Sequence, residues 1–320
     1  MLEEKPNGSS ADSFEGLLAS EHNNAAATIK VLRQIEPKLV DQIDAIARFI
    51  TSVANVFGES GEYDKYNKLY NEGLQGLGSD RSLAAMLQTA TIIGKAEENN
   101  PLEKTKEGRF KAESFLVRLW LLMRFSRDFQ WCVTDLLRLR LTPAKGYLRI
   151  QVETIAIMIS ATDSTFAHQW LTAIAPDKGK KFFNDHHHKT IMPVVKAHNL
   201  NDLYELGSNA ALHSRAAGVL HGLALARKDA PAGHTGIMYQ EMNHAIFIAG
   251  MLNFFIQSHI RLIYALRSAF PELNWSELDK QLDALKVVAS SVNAKVAGLY
   301  REHRTDIWKS EVNLDPILEQ

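Results

Sequence analysis

Residues 29–57 read IKVLRQIEPKLVDQIDAIARFITSVANVF, and the apolar spacing in this stretch decides the fold class. Ile29, Leu32, Leu39, Ile43, Ile46, Ile50, Val53 and Phe57 mostly lie three or four positions apart, which gathers them on one face of a helix. A strand would need alternation with a period of two. Pro37 falls inside the run. Proline has no amide hydrogen, and its ring clashes with the carbonyl four residues back. The reading is therefore two helices meeting at a break or kink, with Pro37 in the first turn of the second.

Working outward, the same period recurs. Residues 1–20 carry Lys5-Pro6-Asn7-Gly8-Ser9-Ser10 and read as a flexible tail. Glycines at 58 and 61 close the second helix, a short polar helix follows at 62–74, and Ser79 or Asp80 is placed to cap a helix running to 94. Residues 97–108 are charged, contain Asn-Asn-Pro, and read as a long loop. Further helices are expected at 111–141, ended by Thr142-Pro143, then at 144–160, 178–198, 201–226, 237–269 and 275–304. Asp163 or Ser164 caps a shorter one, and 228–236 is a loop. With no strand pair and no internal repeat, the expected architecture is all-α: an antiparallel multi-helix bundle with long helices. The composition shift at 97–108 suggests a tail at 1–20, an N-terminal helical lobe at 21–100 and a main bundle at 101–320, with a single domain as the alternative.

Composition narrows the function classes. The 320 residues include 36 basic and 37 acidic side chains, so no global charge favours nucleic acid or anionic lipid. Cys132 stands alone, so no intramolecular disulfide partner exists. With no basic-then-apolar leader at the start, a reducing, cytoplasmic setting is expected. Two segments are apolar enough to raise a membrane question. One, at 115–137, holds Arg118, Arg124, Arg127, Asp128 and Asp135; the other, at 245–266, holds Asn253, Gln257, His259 and Arg261. Each central charge costs about 2.5–3.5 kcal/mol in a bilayer, so both read as buried core helices and no membrane partner is expected.

Two segments carry the polar residues that suggest a site. In the helix at 144–160, Arg149 and Glu153 are four apart on one face, within a surrounding run that is apolar nearly all round. They form either a surface ion pair or a buried pair that orients a polar site. In the segment at 203–214, Tyr204 and Ser208 are one turn apart, as are Asn209 and His213, so the four could line adjoining faces. This pairing of an Arg-x3-Glu helix with a later Tyr-x3-Ser…His segment resembles a bacterial all-helical family of unknown function, over residues 111–226. One more residue separates Ser208 from His213 than in that family's usual form. The resemblance implies a polar network of Arg149, Glu153, Tyr204, Ser208 and His213 inside a helical bundle.

A second likeness comes from Arg215-Ala-Ala-Gly-Val-Leu-His221, which is similar to the Arg-x(4–6)-His motif of HEPN-type helical ribonucleases. That likeness implies RNA as partner, Arg215 and His221 as catalytic residues, a homodimer, and a toxin or phage-defence setting. An arginine would stabilise phosphate charge, and a histidine of near-neutral pKa would move protons. Ala216 stands where that family carries a polar residue. A straight helix turns through about 600° over six residues, or 240° net, so the two side chains diverge unless Gly218 breaks it. The second reading is a non-catalytic helical interaction or regulatory protein whose polar network fixes helix register.

A third reading, a metal-dependent enzyme, rests on histidine crowding, since ten of the 12 histidines lie from His168 to His259. Glu241-x-x-His244 has the spacing used in di-metal bundles, but only one copy is present. His186, His187 and His188 are consecutive and cannot easily share an ion on a helix. No cofactor is expected. Arg118, Arg124, Arg127, Arg138 and Arg140 with Trp120 and Trp131 could form an RNA-contacting stripe, though Asp128 and Asp135 dilute it.

Overall fold

The break at Pro37 is present in the computed structural model, which describes residues 14–60, 63–76, 106–138, 141–173, 176–211 and 242–302. Helix α1 (Phe14–Ile35) stops one residue short of Glu36. Helix α2 (Pro37–Gly58) starts with the proline in its first turn, where a missing amide costs nothing. Glu36 caps it, its side chain accepting from the Lys38 amide at 3.2 Å, and also pairs with Lys295 at 2.7 Å. Next come α3 (Asp64–Gly76), α4 (Lys106–Leu137) and α5 (Leu141–Ser160). Helices α6 (Ser164–Thr172) and α7 (Pro176–His186) lead into a π-helical turn (His187–Ile191) and the short α8 (Met192–Ala197). Helices α9 (Asn201–Ala211), α10 (Met242–Ala269) and α11 (Ser276–Glu302) complete the series. No strand occurs among the described residues, so the fold is all-α.

Side-chain pairs fix the directions. Along α4 and α5, Cys132 meets Ala144 while Ser114 meets Ala161. Along α10 and α11, Asn253 meets Asn293, Gln257 meets Ala289, and Arg267 meets Asp279. In both pairs the numbers rise on one helix as they fall on the other, which makes the pairs antiparallel.

Several boundaries move. Helix α4 begins at Lys106, inside the stretch expected as loop, and ends at Leu137 rather than 141. Thr142-Pro143 does not end a helix. Pro143 sits in the first turn of α5, where amide hydrogens have no intrahelical partner to lose. Asp163 caps α6, accepting from the Thr165 amide at 2.8 Å. The helix expected at 79–94 lies outside the described residues, as do the proposed cap Ser79 or Asp80 and most of the 97–108 loop. Helices α1 and α2 pack on α4, α10 and α11, and one apolar core runs from Leu32 to Val296. The stretch that would carry a lobe boundary near residue 100 is outside the described residues.

Two buried polar groups organise that core. Arg118, on α4, has a side chain only 3% exposed. It donates to the Ala269 carbonyl at 3.0 Å, to Glu272 at 2.6 Å and to the Tyr63 hydroxyl at 3.0 Å. Its guanidinium also lies over the rings of Phe57, Tyr63 and Phe270. It is therefore no part of an RNA-facing stripe. The second group is His259, fully buried on α10. Its Nδ1 is 2.6 Å from the Phe255 carbonyl, so that nitrogen carries the hydrogen, and Nε2 is left as an acceptor. Gln151 of α5 faces Nε2 at 3.0 Å. The Gln151 nitrogen, which otherwise has no partner among the described residues, satisfies both groups when it is the amide atom turned toward the ring.

No helix among the described residues is long and apolar enough to cross a membrane. The polar interruptions of α10 explain this locally. Asn253 and Gln257 bind α11, His259 binds α5, and Arg261 forms a two-pronged pair with Asp202 at 2.8 Å on each arm.

Burial holds the His259 pKa down at about 4, against about 6.5 for an exposed imidazole. The unfolded chain thus binds the extra proton first as pH falls, and stability drops between pH 6.5 and 4 by about 3 kcal/mol. Denaturation midpoints across that window should show this slope, and His259→Gln, which offers an amide donor and acceptor but does not titrate, should flatten it. Arg118→Leu should cost about 3–5 kcal/mol in urea denaturation, because Glu272 and the Ala269 carbonyl lose a buried cationic partner. Arg118→Lys should recover only part of that loss, since one ammonium cannot reach three acceptors in a planar fork.

Candidate functional site at the junction of α5, the π turn and α9

Arg149 and Glu153 occupy successive turns of α5 on the face that α9 covers. The guanidinium Nε donates to Glu153 Oε1 at 3.1 Å, and the two side chains are 22% and 23% exposed. The pair is neither fully solvated nor sealed in the core. Tyr204, on α9, lays its ring against the guanidinium, 4.9 Å from the ring centroid. Close approach of the two helices depends on Gly207. A Cβ there would lie 2.7 Å from both the Arg149 backbone nitrogen and its Cβ, and 2.9 Å from the Lys145 carbonyl.

The fourth member is His187, first residue of the π turn. Pro193 follows and has no amide with which to continue an α-helical ladder; the Met192 amide instead bonds five residues back, to the His187 carbonyl. In this turn the His187 Nε2 lies 3.1 Å from the Tyr204 hydroxyl. The Tyr204 phenol thus meets the imidazole at its hydroxyl and the guanidinium at its ring face, and the tautomer of His187 decides which of the two groups donates in the His187–Tyr204 bond.

The titration tendencies agree with this arrangement. Burial first, then the neighbouring His188, lowers the pKa of His187, which keeps the ring neutral at physiological pH. Burial and then the Glu153 carboxylate push the Tyr204 phenol up, so it retains its proton. Lys145, one turn before Arg149, is lowered by burial and has no carboxylate partner among the described residues.

Of the residues foreseen for a polar network, Arg149, Glu153 and Tyr204 are brought together. Ser208 is not part of it. Its hydroxyl donates to the Tyr204 backbone carbonyl at 2.8 Å within α9, as serine inside a helix commonly does. Asn209 lies on α9 and His244 in the first turn of α10, but their side chains, with His213, Arg215, His221 and Glu241, are outside the described residues. The sequence reading missed His187, weighing it only as one of three consecutive histidines that cannot easily share an ion. The available signal was Pro193, a proline six residues downstream in an otherwise helical stretch.

The other histidines disperse. His186 stacks among Phe166 and Phe182, His168 pairs with Glu113 at 2.6 Å, and among the described residues no group of three His, Cys, Asp or Glu side chains could hold a metal. Cys132 is buried against the Ala144 carbonyl, and burial raises its thiol well above the ordinary range, which makes it unreactive. On α4, Arg124 pairs with Asp128 at 3.3 Å and Arg127 lies over Trp131 at 4.8 Å.

Gly207→Ala separates intrinsic helix preference from packing. Alanine favours a helix over glycine by about 1 kcal/mol, yet here the added methyl must push α9 away from the α5 backbone. The variant should be destabilised by about 1–3 kcal/mol in chemical denaturation and should weaken quenching or shift perturbation linking Tyr204 to His187. Compared with protein-family models, curated proteins and solved structures, the chain matches none.

Proposed function

We propose that this is a HEPN-like helical enzyme acting on RNA, and that Arg149, Glu153, His187 and Tyr204 form part of its working site. The observation that carries this reading is the convergence of an imidazole and a guanidinium on one phenol, from separate elements, at a junction that stays partly open. On this reading the neutral His187 ring takes the proton of a ribose 2′-hydroxyl as that oxygen attacks the adjacent phosphorus. The bond from phosphorus to the 5′-oxygen then breaks. Arg149, aligned by Glu153, offers its remaining N–H groups to the phosphate oxygens as charge builds. Arg215 and His221, on the segment after α9, supply a second cation and the acid that protonates the leaving 5′-oxygen. A second copy of the chain could complete the site as a homodimer.

A second reading is favoured by one specific observation: Glu153 already balances the Arg149 charge, and Gly207 packs directly on the Arg149 backbone. In that case the network fixes the register of α5 against α9 in a non-catalytic interaction or regulatory protein.

RNA cleavage in chelator-containing buffer decides between them. Under the first reading, His187→Ala and His221→Ala each lower the rate by about a hundredfold or more without moving the denaturation midpoint. Under the second, wild-type protein leaves structured and unstructured RNAs intact, while Tyr204→Phe and Arg149→Ala lose stability by about 1 kcal/mol or more.

A further inference from the structure

Helix α7 presents two neighbouring phenylalanines in different surroundings. Phe182 turns toward the core, 5.4 Å from the Phe166 ring and 4.4 Å from His186. Phe183 lies about 100° further round the helix and stays 41% exposed, so the packing of α7 does not explain an aromatic ring there. Single apolar side chains on a surface are ordinary, but this one is not isolated. Its ring centroid is 4.6 Å from that of His187, at an interplanar angle of 39°. His187 leads on to Tyr204 at 6.2 Å, and the Arg149 guanidinium lies over Tyr204 at 4.9 Å. Phe183 is thus the solvent-facing end of a row of flat groups that runs into the candidate site. Charge accompanies it. Lys180, Phe183 and His187 are three and four residues apart, which puts them on one side of α7 and its continuation. Lys180 is exposed. Helix α7 and the π turn together carry Lys178, Lys180, Lys181 and Lys189 against Asp177 and Asp185, in a chain whose net charge is −1. Asp185 stands about 200° round the helix from Phe183, away from that side.

We propose that Phe183 is a stacking platform for an unpaired nucleobase and sets the ribose of that base beside His187. The ligand class rests on the RNA reading above; the residue and its role come from the ring row and the lysines around it. Every base has a flat π face, and stacking one on an exposed aromatic ring raises affinity about fivefold to a hundredfold with little regard to sequence. Inside a duplex each base face is covered by its neighbours, so only a single strand, loop or bulge offers one. The platform therefore selects the form of the RNA rather than its sequence. Lys180, on the same side of α7, meets the backbone phosphates as a point charge. A protein partner fits this surface less well, because lysine is depleted in protein–protein contacts while a phosphate chain needs it.

The test is fluorescence anisotropy of the full chain with an end-labelled 2′-O-methyl oligouridylate of about eight nucleotides, within the usual size of such sites. Methylation of the 2′-oxygen blocks its attack, so binding is read without cleavage. The same chain lacking its bases is the comparison. Wild-type protein should bind the base-bearing strand about tenfold or more tightly than the abasic one. Phe183→Ala should erase that preference and leave binding of the abasic chain unchanged. Phe183→Trp should keep the preference, and Phe183→Leu, apolar but without a π face, should lose it. Equal binding of the two chains by wild type, a preference that survives Phe183→Ala or Phe183→Leu, or no binding of either chain at micromolar concentration, as a protein-docking patch gives, would each overturn the proposal. Cleavage of unmodified RNA is scored separately. A Phe183-dependent preference without cleavage keeps the platform and removes the catalytic reading, whereas cleavage with no such preference does the reverse.

Discussion

A single buried cation on α4 ties the ends of three other helices together. Arg118 projects from α4 into a cage of Phe57, Tyr63 and Phe270, and its N–H groups reach the end of α10, the Glu272 carboxylate and the start of α3. Removing a guanidinium from water is costly, and only near-complete satisfaction of its donors makes such a position tenable. Arginine suits it because the planar fork serves several acceptors at once and its faces stack on aromatic rings. The Ala269 carbonyl belongs to the last turn of α10, where carbonyls lack intrahelical partners. One side chain thus terminates a helix and locks the aromatic layer around Phe115, on which Tyr63 stacks at 5.3 Å.

At the opposite end of the same logic stands α10, apolar enough to be central and polar at chosen points. Its Asn253, Gln257, His259 and Arg261 each reach a different neighbour, so they set rotation and register rather than merely tolerate burial. Generic apolar contacts would allow α10 to slide by a turn against α5 or α11; a neutral His259 aligned with Gln151 does not. The same contact ties α10 to the helix that carries Arg149 and Glu153, and Arg261 ties it to the start of α9. The candidate site is therefore braced on both of its helices by one scaffold element.

That site combines a balanced ion pair, a phenol set between the guanidinium and an imidazole, and burial that keeps the imidazole neutral. The π turn is the unusual ingredient. It arises because Pro193 cannot donate to the carbonyl four residues earlier, and the widened turn accompanies a histidine set beside Tyr204. Such turns interrupt the regular bonding that otherwise spreads stability evenly along a helix, which concentrates irregular geometry beside the polar cluster.

The sequence by itself determined the all-α class, the division at Pro37, a cap at Asp163 or Ser164 and the shared face of Arg149 and Glu153. Each follows from local rules: the 3.6-residue period, the missing proline amide, and the short reach of a capping side chain. It also held the glycine that α9 needs, although its partner was invisible, because the close approach of Gly207 to Arg149 spans 58 positions of chain. Only the tertiary structure decided that Arg118 is buried, that Ser208 turns back on its own helix, and that His187 meets Tyr204. Those outcomes depend on which faces of distant helices meet. Periodicity tells that a residue lies on a face, but burial and hydrogen-bond partners come from packing between segments that the local pattern does not relate.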